Sequence, residues 1–234
     1  MASGIFAGLV FLALLSYLYG SLCWAIIISK WKLRKDIRVL GDGNPGAYNT
    51  GRNLGGKYFL LVMLLDASKG FIPGLIASFV NFQAYQNWAV GLAGSFSVLG
   101  HCYPIFFKFR GGNGFSTIFG FMILYNPWMV LEWGIFVFVL TVIFKYIRPV
   151  QLITMFFISF FAIFIDWHFY WRNFFPLLTE PMMQVTLPAM VLTIALLQVP
   201  RFIPYFVGIY TGTEEKIFFF KFLRKNKTTS SDNN

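Results

Sequence analysis

An all-α integral membrane protein of seven transmembrane helices, with glycine-rich loops on one side, is the architecture this sequence predicts. Three observations predict it. The 234-residue chain is 57% hydrophobic and only 12% charged, with a mean hydropathy of +0.65; a soluble domain of this size could not cover so much apolar surface. The apolar residues fall in stretches of about 20, the length that crosses a bilayer as a helix. All but Lys69 and Arg172 of the 19 basic residues fall in alternate connections, the asymmetry described by the positive-inside rule.

The spans are expected at roughly 4–29, 57–81, 86–102, 113–126, 127–146, 150–168 and 184–200. The first begins without a charged leader or a small-residue cleavage site, so it is expected to be retained. Near its end Gly20 and Ser21 are small residues of the kind that let helices approach closely. The second span carries Asp66 and Lys69, three apart and so on one helix face, where opposite charges can pair in the bundle interior. The fourth is short and is divided from the fifth only by the turn pair Asn126–Pro127. Asp166–Trp171 reads as an aromatic belt at the far surface. An odd number of spans with this charge pattern puts the N-terminus outside, and the loops 30–56, 103–112 and 147–149 with the C-terminus in the cytoplasm. Residues 1–220 then form one polytopic domain and 221–234 a basic tail, expected to be disordered. The net charge of +10 reports this topology and anionic membrane lipids, not nucleic acid, because it is spread over several loop edges. Two cysteines, Cys23 and Cys102, supply neither a disulfide framework nor a metal site.

Two loops carry the polar chemistry. Residues 41–52 read GDGNPGAYNTGR. Four glycines, two asparagines and a proline predict an ordered loop with left-handed turns. Its closing Arg52 can fork two oxygens of a phosphate. Residues 100–117 read GHCYPIFFKFRGGNGFST. Gly100, His101 and Pro104 end an apolar helix, and Lys108 and Arg110 interleave with phenylalanines. Gly111, Gly112, Asn113 and Gly114 then lead through Ser116 and Thr117 into the next span. A glycine turn before a helix suits an anion, held by backbone N–H groups and the helix dipole. The same residues would equally make a tight inter-helix turn with interfacial anchors. A third polar segment, Pro200–Lys216, is expected to close the last span.

Taken together these segments resemble the PlsY family, bacterial integral-membrane acyl-phosphate:glycerol-3-phosphate acyltransferases. Gly41–Arg52 is similar to the family pattern G-S-G-N-x-G-A-T-N-x-x-R, and Gly100–Thr117 to G-H-x-x-P-x-F-x-x-F-x-G-G-K-G-x-A-T. Asp66, Lys69 and Gly70 match a D-x-x-K-G segment between them, while Gly212 and Glu214 are what remains of a third motif. The resemblance implies a seven-span fold in the bacterial cytoplasmic membrane. It implies transfer of an acyl chain from acyl phosphate to glycerol 3-phosphate, giving lysophosphatidate for phospholipid synthesis, with no cofactor. A monomer is compatible with it. In this reading Arg52 and the turn Gly111–Gly112–Asn113–Gly114 take the phosphates, helped by Lys108, Ser116 and Thr117. Asn44 and Asn49 shape the loop or contact hydroxyls, and Asp66, Lys69, His101 and Glu214 are structural. The chain departs from the pattern at Asp42 (a serine in the family), Tyr48 (threonine) and Asn113 (lysine), and Phe202 and Tyr205 fall near the third motif's histidine and asparagine. Asp42 is the candidate catalytic group, a general base in place of the serine. A catalytically silent lipid- or phosphate-binding homologue is the alternative, and a transporter a more distant one.

Overall fold

The computed structural model describes residues 2–125, 127–161, 164, 183–214 and 216. Among them the ordered elements are helices only: α1 (Ala2–Gly20), α2 (Trp24–Leu33), α3 (Ala47–Leu54), α4 (Gly56–Phe79), α5 (Gln86–Cys102), α6 (Phe115–Tyr125), α7 (Pro127–Phe144), α8 (Ile147–Phe161) and α9 (Met183–Tyr210), with short 3₁₀ turns in the connections. Four stretches are long and apolar enough to cross a membrane: Ser3–Leu33, Gly56–Phe79, Gln83–Phe107 and Ala189–Tyr210. Phe115–Leu124, Val130–Phe144 and Ile147–Phe161 are shorter apolar helices.

The central helix is α5, packed against α1, α4 and α9. Many of its buried residues are small, Ala89, Ala93, Ser97 and Gly100 among them. Two of the crossings are close enough for backbone contact, and each is made by a reciprocal pair of glycines. At α1/α5, a Cβ on Gly20 would meet Ser97 O at 2.2 Å and one on Gly100 would meet Tyr17 O at 2.2 Å. At α4/α6, a Cβ on Gly70 would meet Thr117 O at 2.0 Å and one on Gly120 would meet Ala67 O at 1.9 Å. Lipid gives apolar side chains no reason to leave it, so association rests on such close van der Waals packing. The large side chains that face away from the bundle, Phe11, Leu64, Ile135 and Phe160 among them, are about half or more exposed, as a lipid-facing surface requires.

Three expectations change. The first span does not run unbroken over 4–29. The helix stops at Gly20, where the Ser21 hydroxyl donates to Tyr17 O at 2.8 Å, and restarts as α2, whose Ala25, Ile26 and Ile28 are buried. The last span does not close at Pro200. Pro200 and Pro204 together remove only two N–H donors, and membrane helices absorb that loss, so α9 continues to Tyr210. The first polar loop contains a helix, α3, opened by Gly46 in extended conformation (φ −137°, ψ 176°). Asn126, the belt at Asp166–Trp171, Arg172 and the tail 221–234 lie outside the described residues.

Candidate active site

The loop between α5 and α6 turns sharply. Lys108 and Phe109 are both left-handed (φ 58° and 57°), and the chain then runs back along the end of α5. Gly111 N–H donates to Cys102 O at 3.2 Å and Gly112 N–H to His101 O at 3.1 Å. The glycines are needed because the approach is close: a Cβ on Gly111 would lie 1.9 Å from His101 O, and one on Gly112 2.5 Å from His101 Nε2. This corrects the expected anion nest at Gly111 and Gly112, since their N–H groups are spent on the carbonyls that end α5. What faces the cleft is the start of α6, where Asn113, Gly114, Phe115 and Ser116 lie in its wall. The first-turn N–H groups of any helix lack intrahelical partners, and the dipole adds positive potential there.

Guanidinium groups from two other elements fasten this loop. Arg38 donates through Nη1 to Phe107 O and Arg110 O, both at 3.1 Å, while Asp36 holds it from behind through Oδ1 (3.0 Å) and Oδ2 (2.8 Å). These charge-assisted bonds keep the Asp36 carboxyl below the usual carboxylate range. From α9, Arg201 donates to Gly111 O and Gln198 to Asn113 O.

The first loop is wound by Gly41 (φ 55°) and Gly43 (φ 72°), which present Asp42 between them. Asp42 Oδ1 accepts the Asn44 N–H at 2.9 Å, and Oδ2 accepts from Arg148 Nη2. Arg148, in the first turn of α8, donates through Nη1 to Glu214 Oε1 at 3.2 Å, and its guanidinium lies 4.7 Å over the Tyr205 ring. Glu214 is set by the end of α9: Gly212 is left-handed (φ 74°), and the N–H groups of Thr213 and Glu214 return to Gly208 O at 2.8 and 3.0 Å. Asp42, the expected general base, thus lies in the cleft with one accepted hydrogen bond on each oxygen.

Deeper, Asp66 and Lys69 pair at 2.6 Å with both side chains buried. Lys69 Nζ is also 3.2 Å from His101 Nδ1.

These segments enclose a cleft of about 360 Å³. Its polar lining includes Asp42, Asn44, Asp66, His101, Asn113, Ser116, Arg148, Gln151 and Glu214, and its apolar lining Phe59, Met63, Phe115 and Ile147. Of the expected substrate contacts, Asn44, Asn113, Gly114 and Ser116 reach it, and so do Asp42 and three of the four residues read as structural, Asp66, His101 and Glu214 but not Lys69. The rest do not. Asn49 is fully buried in α3, its amide donating to Ile37 O (3.2 Å) and Leu40 O (2.9 Å), so it braces the loop. Arg52 is exposed on α3, its guanidinium 5.8 Å from the ring of Tyr48, which does line the cleft. Lys108 is exposed at the turn, and Thr117 is buried with its backbone against Gly70.

Sequence reasoning missed Arg148, Tyr205 and Gln151. In the sequence Arg148 reads only as one of the basic residues that set the topology. Tyr205 takes a hydrogen bond from Asn113 Nδ2 at 3.1 Å, and the one available signal was its place in the decayed third motif.

Known proteins bear on this arrangement in three ways. A family model described as glycerol-3-phosphate acyltransferase matches residues 10–205. The chain is 44% identical over 122 residues to a glycerol-3-phosphate acyltransferase of Aquifex aeolicus, covering 52% of this chain and 62% of that protein. It is 42% identical over 121 residues to one of Pseudomonas aeruginosa, covering 51% and 62%. The match thus spans less than two thirds of these relatives. Among solved structures, the fold superposes on the crystal structure of PlsY, an integral membrane glycerol 3-phosphate acyltransferase, in its glycerol 3-phosphate form. The TM-score is 0.74 and the identity 30%, over 92% of this chain and 98% of that one. The lysophosphatidic acid form gives a TM-score of 0.73 at 29% identity, with the same coverage.

Proposed function

The chain belongs to the glycerol-3-phosphate acyltransferase family, and we propose that it is a multi-pass membrane enzyme that moves a fatty acyl group from acyl phosphate to glycerol 3-phosphate. The product is lysophosphatidate, the entry to phospholipid synthesis. The observation that carries this reading is the mixed cleft, lined both by polar Asn44, Asn113, Ser116 and Arg148 and by apolar Phe59, Met63, Phe115 and Ile147. Such a lining suits an acceptor headgroup and a lipid-borne donor side by side. The acyl–phosphate bond is already activated. The acceptor hydroxyl attacks the acyl carbon, the C–O bond to phosphate breaks, and the hydroxyl proton is released as the ester forms. Holding two anions in line supplies much of the rate, and no protein nucleophile is required. Cys23 and Cys102 are buried thiols outside the cleft lining. The positive-inside rule supports a cleft at the cytoplasmic face, with the N-terminus outside.

The test is purified full-length protein in detergent, given acyl phosphate and a panel of phosphorylated and plain polyols, with products identified by mass. Lysophosphatidate from glycerol 3-phosphate is the expected product; acylation of plain polyols instead, or of nothing, overturns the reading. A silent, ligand-binding homologue is the second reading, favoured by two carboxylates, Asp42 and Glu214, in a cleft meant for anions. Activity gained by Asp42→Ser with Asn113→Lys from an inactive parent supports it.

A further inference from the structure

Among the described residues that line the cleft, Arg148 is the one permanently cationic side chain, against Asp42, Asp66 and Glu214. Lys69 is committed to Asp66. The glycine-loop position at Asn113 is neutral and is tied to Tyr205. Arg52 lies over the ring of Tyr48, a residue of the cleft wall, and Lys108 is exposed at the turn. Within the lining itself, Arg148 is the fork a phosphate would meet.

The way Arg148 is held matters as much. Its side chain is 16% exposed, with Asp42 at 13% and Glu214 at 12%. Its two terminal nitrogens go to carboxylates from two separate loops, and its face lies on Tyr205. Each carboxylate sits beside a left-handed glycine turn: Gly41 and Gly43 flank Asp42, and Gly212 precedes Glu214. One guanidinium and two carboxylates sum to a negative group, so it cannot bind a dianion unless a carboxylate yields. A planar guanidinium can exchange a carboxylate oxygen for a phosphate oxygen without changing its own geometry.

We propose that Arg148 is the specificity-determining cation of this cleft, receiving the phosphate of the acceptor, and that Asp42 and Glu214 are positioning counter-ions of which one is displaced on binding. The cation that the glycine loop lacks at Asn113 is supplied from α8, and the carboxylate at Asp42 is its orienting partner. The assignment of the phosphate to the acceptor rests on the acyl-transfer reading; binding of an anion at Arg148 does not.

The test uses full-length protein in detergent with two readouts: KM and kcat for glycerol 3-phosphate, and thermal protection by inorganic phosphate. Arg148→Gln is expected to raise KM at least tenfold and to abolish phosphate protection. Arg148→Lys keeps the charge without the fork and is expected to fall between. Asp42→Asn removes a competing anion and is expected to lower KM several-fold. If the wild type is active and Arg148→Gln leaves both KM and protection unmoved, the assignment falls and acyl transfer stands. If the wild type is inactive yet phosphate protects it through Arg148, acyl transfer falls and the assignment stands. Neither turnover nor protection overturns both. Should Arg148→Gln fail to fold, Asp42→Asn decides: a fall in kcat with KM unmoved makes Asp42 a base and overturns the proposal.

Discussion

Replacing Gly70 by alanine probes whether the cleft depends on how closely α4 and α6 approach. A Cβ at Gly70 would lie 2.0 Å from Thr117 O, 2.8 Å from Phe121 N and 3.1 Å from Phe121 Cβ. Carbon contacts are comfortable at about 3.5–4.0 Å, so the two helices must part by roughly 1.5 Å. Two of the three clashing atoms are backbone, and no rotamer change relieves them. Overpacking of this kind costs about 1–3 kcal/mol, occasionally more, which for a chain of this size lowers Tm by about 2–4 °C per kcal/mol. The functional cost is larger. Asp66, one turn away on α4, and Asn113 and Ser116, at the start of α6, line the same cleft, and a shift of about 1 Å in a reacting geometry can cost 10²-fold in rate. Gly120→Ala meets Ala67 O at 1.9 Å across the same crossing and is expected to act alike. Gly134→Ala, with nothing within 4 Å, serves as the control and is expected to be neutral or slightly stabilising through helix propensity. The measurements are thermal melts of detergent-purified protein and acyl-transfer rates. A Gly70→Ala protein that melts and turns over like the Gly134→Ala control refutes the reasoning.

Further outcomes follow from the buried groups and the loop clamp. Asp66→Asn leaves the fully buried Lys69 without its 2.6 Å partner and is expected to cost about 3–5 kcal/mol; adding Lys69→Met recovers most of it, and a double-mutant cycle by thermal denaturation reads the difference. Thr117 Oγ1 is buried with no hydrogen-bond partner, so Thr117→Val is expected to be neutral or stabilising and to leave KM for glycerol 3-phosphate unchanged; a raised KM returns Thr117 to the substrate. The Asp36 carboxyl is held below its usual range by Arg38, so its contribution is present above the unfolded value of about 3.9 and is lost as pH falls through the lower, folded value. Proteolytic nicking of the loop 103–112 is expected to rise over that acid window in the wild type, and to be high throughout in Arg38→Ala.

How far this molecule could be read before folding depends on the range of the interaction concerned. Hydropathy is a local property, and the apolar stretches became helices close to where it put them; the errors at Gly20–Cys23 and at Pro200 arose where neighbouring helices, not local propensity, decide whether a helix continues. The pairing of Asp66 with Lys69 was legible because both lie on one helix. The glycines at Gly111 and Gly112 were legible as a close approach, but a glycine looks the same whether the thing approached is a phosphate or, as here, the carbonyls of His101 and Cys102. Arg148 was not legible at all. Its partners are 106 and 66 residues away, and only the packing of α8 against α9 and the folding back of the first loop bring them together. The same distance hides from the sequence what Asp42 is paired with. Judged alone, a carboxylate where a donor is expected weakens an anion site. Judged with Arg148 beside it, the pair keeps a cation in the cleft and fixes its direction, so the departure at Asp42 and the neutral Asn113 belong to one rearrangement of charge. A substitution that breaks a motif is therefore evidence of decay only when the fold offers it no partner.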